Sequence, residues 1–60
     1  MSSDVIIRNF KQSQMQKLVE QRNRGISAES LGDMFGRNEY TVLRYLRIYD
    51  IYGINAFAKG

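Results

Sequence analysis

"GRNEYTVLRYLRIYDIYG", residues 36–53, holds three arginines and four tyrosines within an apolar spacing of helical period. Val42, Tyr45, Leu46 and Tyr49 recur at i, i+3, i+4 and i+7, the pattern of a helix with one buried stripe. Tyr40, Leu43, Arg44 and Arg47 repeat the same spacing on a neighbouring face. If the first stripe packs inward, the second is left to face outward with two cations, a tyrosine and a leucine. Asn38 suits the N-cap, so the helix is expected from Glu39 to about Tyr49 or Asp50.

Upstream, Gly25, Gly36 and Gly53 punctuate the chain at the ends of periodic segments, as residues that take the left-handed conformation after a helix do. They divide it into an N-terminal arm (1–9), a trihelical domain (10–53) and a tail (54–60). The first helix is expected from about Lys11 to Arg24, capped by Asn9 or Ser13. Its apolar face is Met15, Leu18 and Val19, with the stem of Arg22 completing it. The second opens at Ser27, with Ile26 packing on Leu31 as a hydrophobic staple. Its core face is Leu31, Met34 and Phe35. Gly32 inside that helix costs about 1 kcal/mol against Ala, a cost offset if another helix crosses closely.

Sixty residues with neither Cys nor His form one domain without disulfide or zinc support. A domain this small buries only about 60% of its unfolded surface, so dimerisation or ligand binding is a natural stabiliser. Catalysis is not expected: no nucleophile–base pair, metal cluster or phosphate-cradling glycine loop is visible, and no cofactor, metal or small-molecule substrate is implied. The start "MSSDVIIRNF" lacks a signal peptide's pattern and no apolar run reaches membrane-span length, so a soluble cytoplasmic protein with no membrane partner is expected.

Net charge is +3 with a pI near 9.6, which favours polyanions. Five cations against two acids lie in residues 1–25, and three against four in residues 26–53. Bulk charge therefore does not explain residues 36–53; the direction in which their arginines point must.

Two helices joined by a short turn at "FGRN", the second with a polar-aromatic outer stripe, make the helix-turn-helix pattern. The run "G-I-S-x-x-x-L-G-x-x-F-G-x-N-x-x-T-V-x-x-Y-L-x-x-Y-x-x-x-G-I-N-A-F", Gly25 to Phe57, resembles the N-terminal DNA-binding domain of insertion-element transposases, a homeodomain-like group related more distantly to the Hin recombinase domain. The resemblance rests on Gly25, Gly32, Phe35, Gly36, Thr41, Val42, Tyr45, Tyr49, Gly53, Ala56 and Phe57. Two positions depart from it: Arg37 stands where Val or Ile is usual, and Arg22 where an aromatic or aliphatic residue is usual. No catalytic domain follows, so DNA binding rather than transposition is what the resemblance implies.

The expected fold is all-α, a three-helix bundle with a short extended N-terminal arm. The expected function is sequence-specific binding of double-stranded DNA by a small transcriptional regulator of a phage, plasmid or other mobile element, with its third helix in the major groove. It would act as a homodimer on an inverted repeat and be nucleoid-associated. The candidate contacts are Arg37, Asn38, Glu39, Tyr40, Thr41, Leu43, Arg44 and Arg47 around the third helix, Ser27 at the second, and Arg8, Lys11 and Lys17 for phosphates. Each has a simpler structural role beside it: Ser27 and Asn38 as caps, Glu39 as a partner of the helix dipole, the arginines as solvated charge. The alternative is a protein-binding module, an inhibitor or adaptor of a polymerase or nuclease on the same scaffold. Val5, Ile6 and Ile7 are too apolar for a free tail; they either add a strand across a two-fold axis or fold back onto the helices. In the tail, Ile54 and Phe57 are expected against the core, with Lys59 and Gly60 fraying.

Overall fold

Three glycines with positive φ, Gly25 (+93°), Gly36 (+70°) and Gly53 (+80°), end three successive helices. The structure is a computed structural model that describes residues 5–59. Strand β1 spans Ile7–Lys11, helix α1 Gln12–Asn23, α2 Ala28–Phe35 and α3 Glu39–Tyr52. A 3₁₀ turn, Ile54–Ala56, then leads into a two-residue strand β2, Phe57–Ala58. Residues 1–4 of the expected arm, and Gly60 of the tail, lie outside the described residues.

The helical part follows the sequence closely. Ser27 Oγ accepts from the Ser30 N–H at 3.3 Å and Asn38 Oδ1 from the Thr41 N–H at 3.0 Å, each satisfying an otherwise orphaned donor at a helix start. Helix α1 departs from expectation at its cap. Neither Asn9 nor Ser13 fills that role; Lys11 stands at the N-cap position, and its N–H donates to Gln14 Oε1 at 2.9 Å. Asn9 is instead drawn into β1, where its Oδ1 accepts from the Tyr45 hydroxyl at 3.2 Å. Helix α3 runs two residues past Asp50, until Gly53 turns the chain.

The all-α expectation needs one correction: β1 and β2 form a small parallel sheet, with Ile7 opposite Phe57 and Lys11 opposite Ala58 and an irregularity between. The physical cause lies in the apolar residues at both chain ends. Ile7, Phe10 and Phe57 all sink into the core, and burying both ends side by side requires their backbones to pair. Of the two arrangements open to Val5–Ile7, folding back onto the helices is the one found within the monomer. Ile6, just ahead of the strand, stays exposed.

The core joins every element. Phe10 of β1 stacks on Tyr45 of α3 with centroids 4.7 Å apart, and meets Phe35 of α2 and Phe57 of β2 edge-on at 5.9 and 6.4 Å. Such pairs add about 0.5–1.5 kcal/mol each beyond their buried area. Met15, Leu18, Leu31, Val42, Leu46 and Ala56 complete the cluster, with Val19, Ile26, Tyr49 and Ile54 packed against it.

A second correction concerns α2. Met34, expected in the core face, is 55% exposed, because Gly32 takes the inward position instead. A Cβ at Gly32 would collide with the Arg37 carbonyl oxygen, so the turn into α3 lies directly on this glycine. The close approach at Gly32 is thus made by the α2–α3 turn, in place of the crossing helix expected there. At 100° per residue, turning Gly32 inward places Ala28, Leu31 and Phe35 around it and moves Met34 to the flank.

Candidate nucleic-acid interface

Helix α3 is positioned from three sides. Val42, Tyr45 and Leu46 are buried, Asn38 caps its start, and the Tyr45 hydroxyl ties its middle to Asn9 of β1. Those constraints fix its rotation, so the opposite face must look outward. Tyr40 is 83% exposed and Leu43 47%, with Arg44 and Arg47 exposed beside them. At 1.5 Å rise per residue, Tyr40 to Arg47 covers about 10 Å along the axis, comparable with the roughly 12 Å width of a DNA major groove.

The two guanidinium groups are uncommitted. Among the described residues, the side chains of Arg44 and Arg47 make no hydrogen bond or ion pair, so their donors face solvent. A planar fork of this kind can donate to phosphate oxygens or to guanine O6 and N7. Glu39 is exposed in the first turn of α3, where its carboxylate faces the positive end of the helix dipole. Thr41 is half-buried and its N–H is given to the Asn38 cap.

Arg37 is used differently. Its Nη2 donates to the Asn9 carbonyl at 2.9 Å and its Nη1 to the Phe35 and Gly36 carbonyls at 3.2 and 3.4 Å, while Cζ lies 5.3 Å from the centroid of the Phe10 ring. Its Nε is buried without a partner. The cation at the turn is therefore directed into the protein, where it holds β1 against the start of α3. Ser27 is likewise occupied as a cap, its hydroxyl also donating to Ser30 Oγ at 3.2 Å.

Arg8, Lys11 and Lys17 lie on β1, at the strand–helix junction and on α1 rather than on α3. Arg8 projects from β1 into an open depression of about 570 Å³ shared with Val5, Gln12, Asn55, Ala58 and Lys59, with no residue of α2 or α3 in its lining. Lys11 is exposed at the strand–helix junction. Lys17 is exposed on α1, about 160–200° around the helix from Met15, which is buried.

Two features escaped the sequence reading. Ile51, 63% exposed, extends the outer stripe by another turn, a continuation that the spacing of Tyr40, Arg44 and Arg47 already indicated. Arg22, whose stem is expected to complete the apolar face of α1, is instead exposed at the end of that helix and lines a second groove, of about 320 Å³, together with Leu43 and Arg47. Compared with protein-family models, curated proteins and solved structures, the chain has no match, so its interpretation rests on its own residues.

Among the described residues, no group of three or more His, Cys, Asp or Glu is placed to hold a metal ion. No helix among them is long and apolar enough to cross a membrane.

Proposed function

We propose that the chain is a sequence-specific double-stranded DNA-binding protein that inserts the outer stripe of α3 into the major groove. The observation that carries the reading is the division of α3 itself: Val42, Tyr45 and Leu46 are buried, while Tyr40, Leu43, Arg44 and Arg47 are exposed on a helix anchored at its cap and middle. An anchored helix that presents two exposed guanidinium groups suits recognition because little backbone ordering remains to be done on binding. In this reading α2 and α3 act as the helix-turn-helix, and a small transcriptional regulator of a mobile element is the fitting role.

One α3 gathers few phosphate contacts, so useful affinity calls for two copies on an inverted repeat. The reading therefore includes a homodimer. The deciding experiment selects bound fragments from random duplex DNA at physiological salt, with stoichiometry measured by light scattering. An enriched palindromic sequence bound by two chains, with affinity falling steeply as salt rises, supports the reading. Recovery of unenriched DNA, or retention indifferent to salt, speaks against it.

A protein-binding role has its own support in the apolar part of the exposed surface: Met34, Tyr40, Leu43, Ile51 and Tyr52. Scattered apolar residues are normal on a monomer, whereas unpartnered arginines directed outward along one anchored helix are more specific, and DNA is preferred.

A further inference from the structure

The spacing of α1 places Arg22 on the apolar stripe with Met15, Leu18 and Val19. Its side chain nevertheless remains exposed and, among the described residues, makes no hydrogen bond or ion pair. An apolar residue at this position would cover Ile26, Leu31 and Leu46. Arginine instead leaves an open groove of about 320 Å³ between the α1–α2 turn and α3. Leu31 and Leu46, both buried, line it together with Ile26, Ala28, Leu43 and the charged Arg22, Arg47 and Asp50.

From this arrangement we infer that the groove is a binding site for a small organic carboxylate with an apolar body, an effector that competes with DNA. The volume lies at the lower end of the range for small-molecule sites, and the chemistry of the lining, an apolar floor with a few charged groups, is theirs too. Two guanidinium groups against one carboxylate leave the lining one positive charge in excess, which selects an anion. The apolar body lies on Leu31, Leu46 and Ile26, and the carboxylate pairs with Arg22 and Arg47.

The regulatory consequence rests on the DNA-binding reading. Leu43 and Arg47 line this groove and also belong to the outer stripe of α3. An effector that engages them removes them from the duplex, so occupancy and DNA binding exclude one another.

The test uses naphthalene-2-carboxylate as the probe, its uncharged carboxamide as control, and the wild-type chain beside Arg22→Gln and Arg22→Leu. Amide chemical-shift titration without DNA should place the carboxylate against Ile26, Leu31, Leu43 and Leu46. Arg22→Gln, or the carboxamide in place of the carboxylate, should weaken binding about tenfold or more. Arg22→Leu removes the cation and adds apolar cover; it should weaken binding at least as much as Arg22→Gln while raising the melting temperature, which distinguishes a lost site from an unfolded protein. Shifts located elsewhere, or affinity indifferent to both changes of charge, overturn the site.

With a selected duplex present, the carboxylate should release DNA from wild type over the range that saturates the groove, and leave the Arg22→Leu complex intact. A saturated groove with DNA still bound overturns the competition. If Arg22→Gln weakens the duplex itself and lowers its salt dependence, the groove holds a DNA phosphate and the effector site is wrong. If wild type takes the carboxylate yet binds no duplex under any condition, the site stands and the DNA-binding reading falls.

Discussion

Arg37 Nη2 donates to the carbonyl oxygen of Asn9 at 2.9 Å, across 28 residues of sequence. This bond joins the turn that launches α3 to the strand that closes the other side of the core. Phe10, the next residue in the strand, lies under the same guanidinium. An arginine in a position that sequence marks for DNA contact thus acts as the fastener that sets how α3 is held.

Replacing Arg37 by Ala should therefore reduce stability by about 1.5–3 kcal/mol, the range for hydrogen bonds from a charged donor. Lysine should restore only part of this, because one ammonium cannot reproduce a planar fork over three carbonyls and a ring. Urea denaturation of the three proteins gives the comparison. Unchanged stability in the alanine variant would show that the fastening is dispensable.

Gly32→Ala should destabilise, contrary to the gain of about 1 kcal/mol that Ala brings at an open helical position. The added methyl meets the Arg37 carbonyl, and displacing a packed turn costs about 1–3 kcal/mol. A higher denaturation midpoint in the variant would mean that the turn does not rest on this glycine.

Met34 and Leu31 stand on the same short helix but differ in burial, 55% against 0% exposed. Met34→Gln should change stability by no more than about 0.5 kcal/mol, and Leu31→Ala should lower it by about 2–5 kcal/mol. Equal losses, read from thermal unfolding, would place Met34 in the core after all.

On DNA, Arg44→Ala should cost about 1–3 kcal/mol and relax the base preference, whereas Lys17→Ala should weaken every sequence alike. Fluorescence anisotropy on the selected site and on a scrambled duplex separates the two. An equal loss on both duplexes for Arg44→Ala would reduce that residue to a phosphate contact.

Local signals made the three helices legible in the sequence: the caps Ser27 and Asn38, the stopping glycines, and the stripe Val42–Tyr45–Leu46. The sheet was not legible, since its strands lie at opposite ends of the chain and are joined by the aromatic cluster rather than by any local pattern. The same long-range packing withdrew Asn9 from its expected role as a cap and Arg37 from solvent. Met34 was misplaced because helical spacing alone does not show that a glycine lies innermost. In the candidate site, the outward stripe followed from the periodicity of α3, while the groove beside Arg22 depended on a side chain that declines the position its spacing assigns.

The most direct measurement is amide and side-chain chemical-shift mapping during titration with the duplex recovered by selection. Entry of α3 into the groove predicts the largest changes at Tyr40, Leu43, Arg44 and Arg47, including the guanidinium resonances, with the buried Val42 and Leu46 little affected. Changes concentrated around Arg8, Gln12 and Lys59, with those four residues undisturbed, would contradict it.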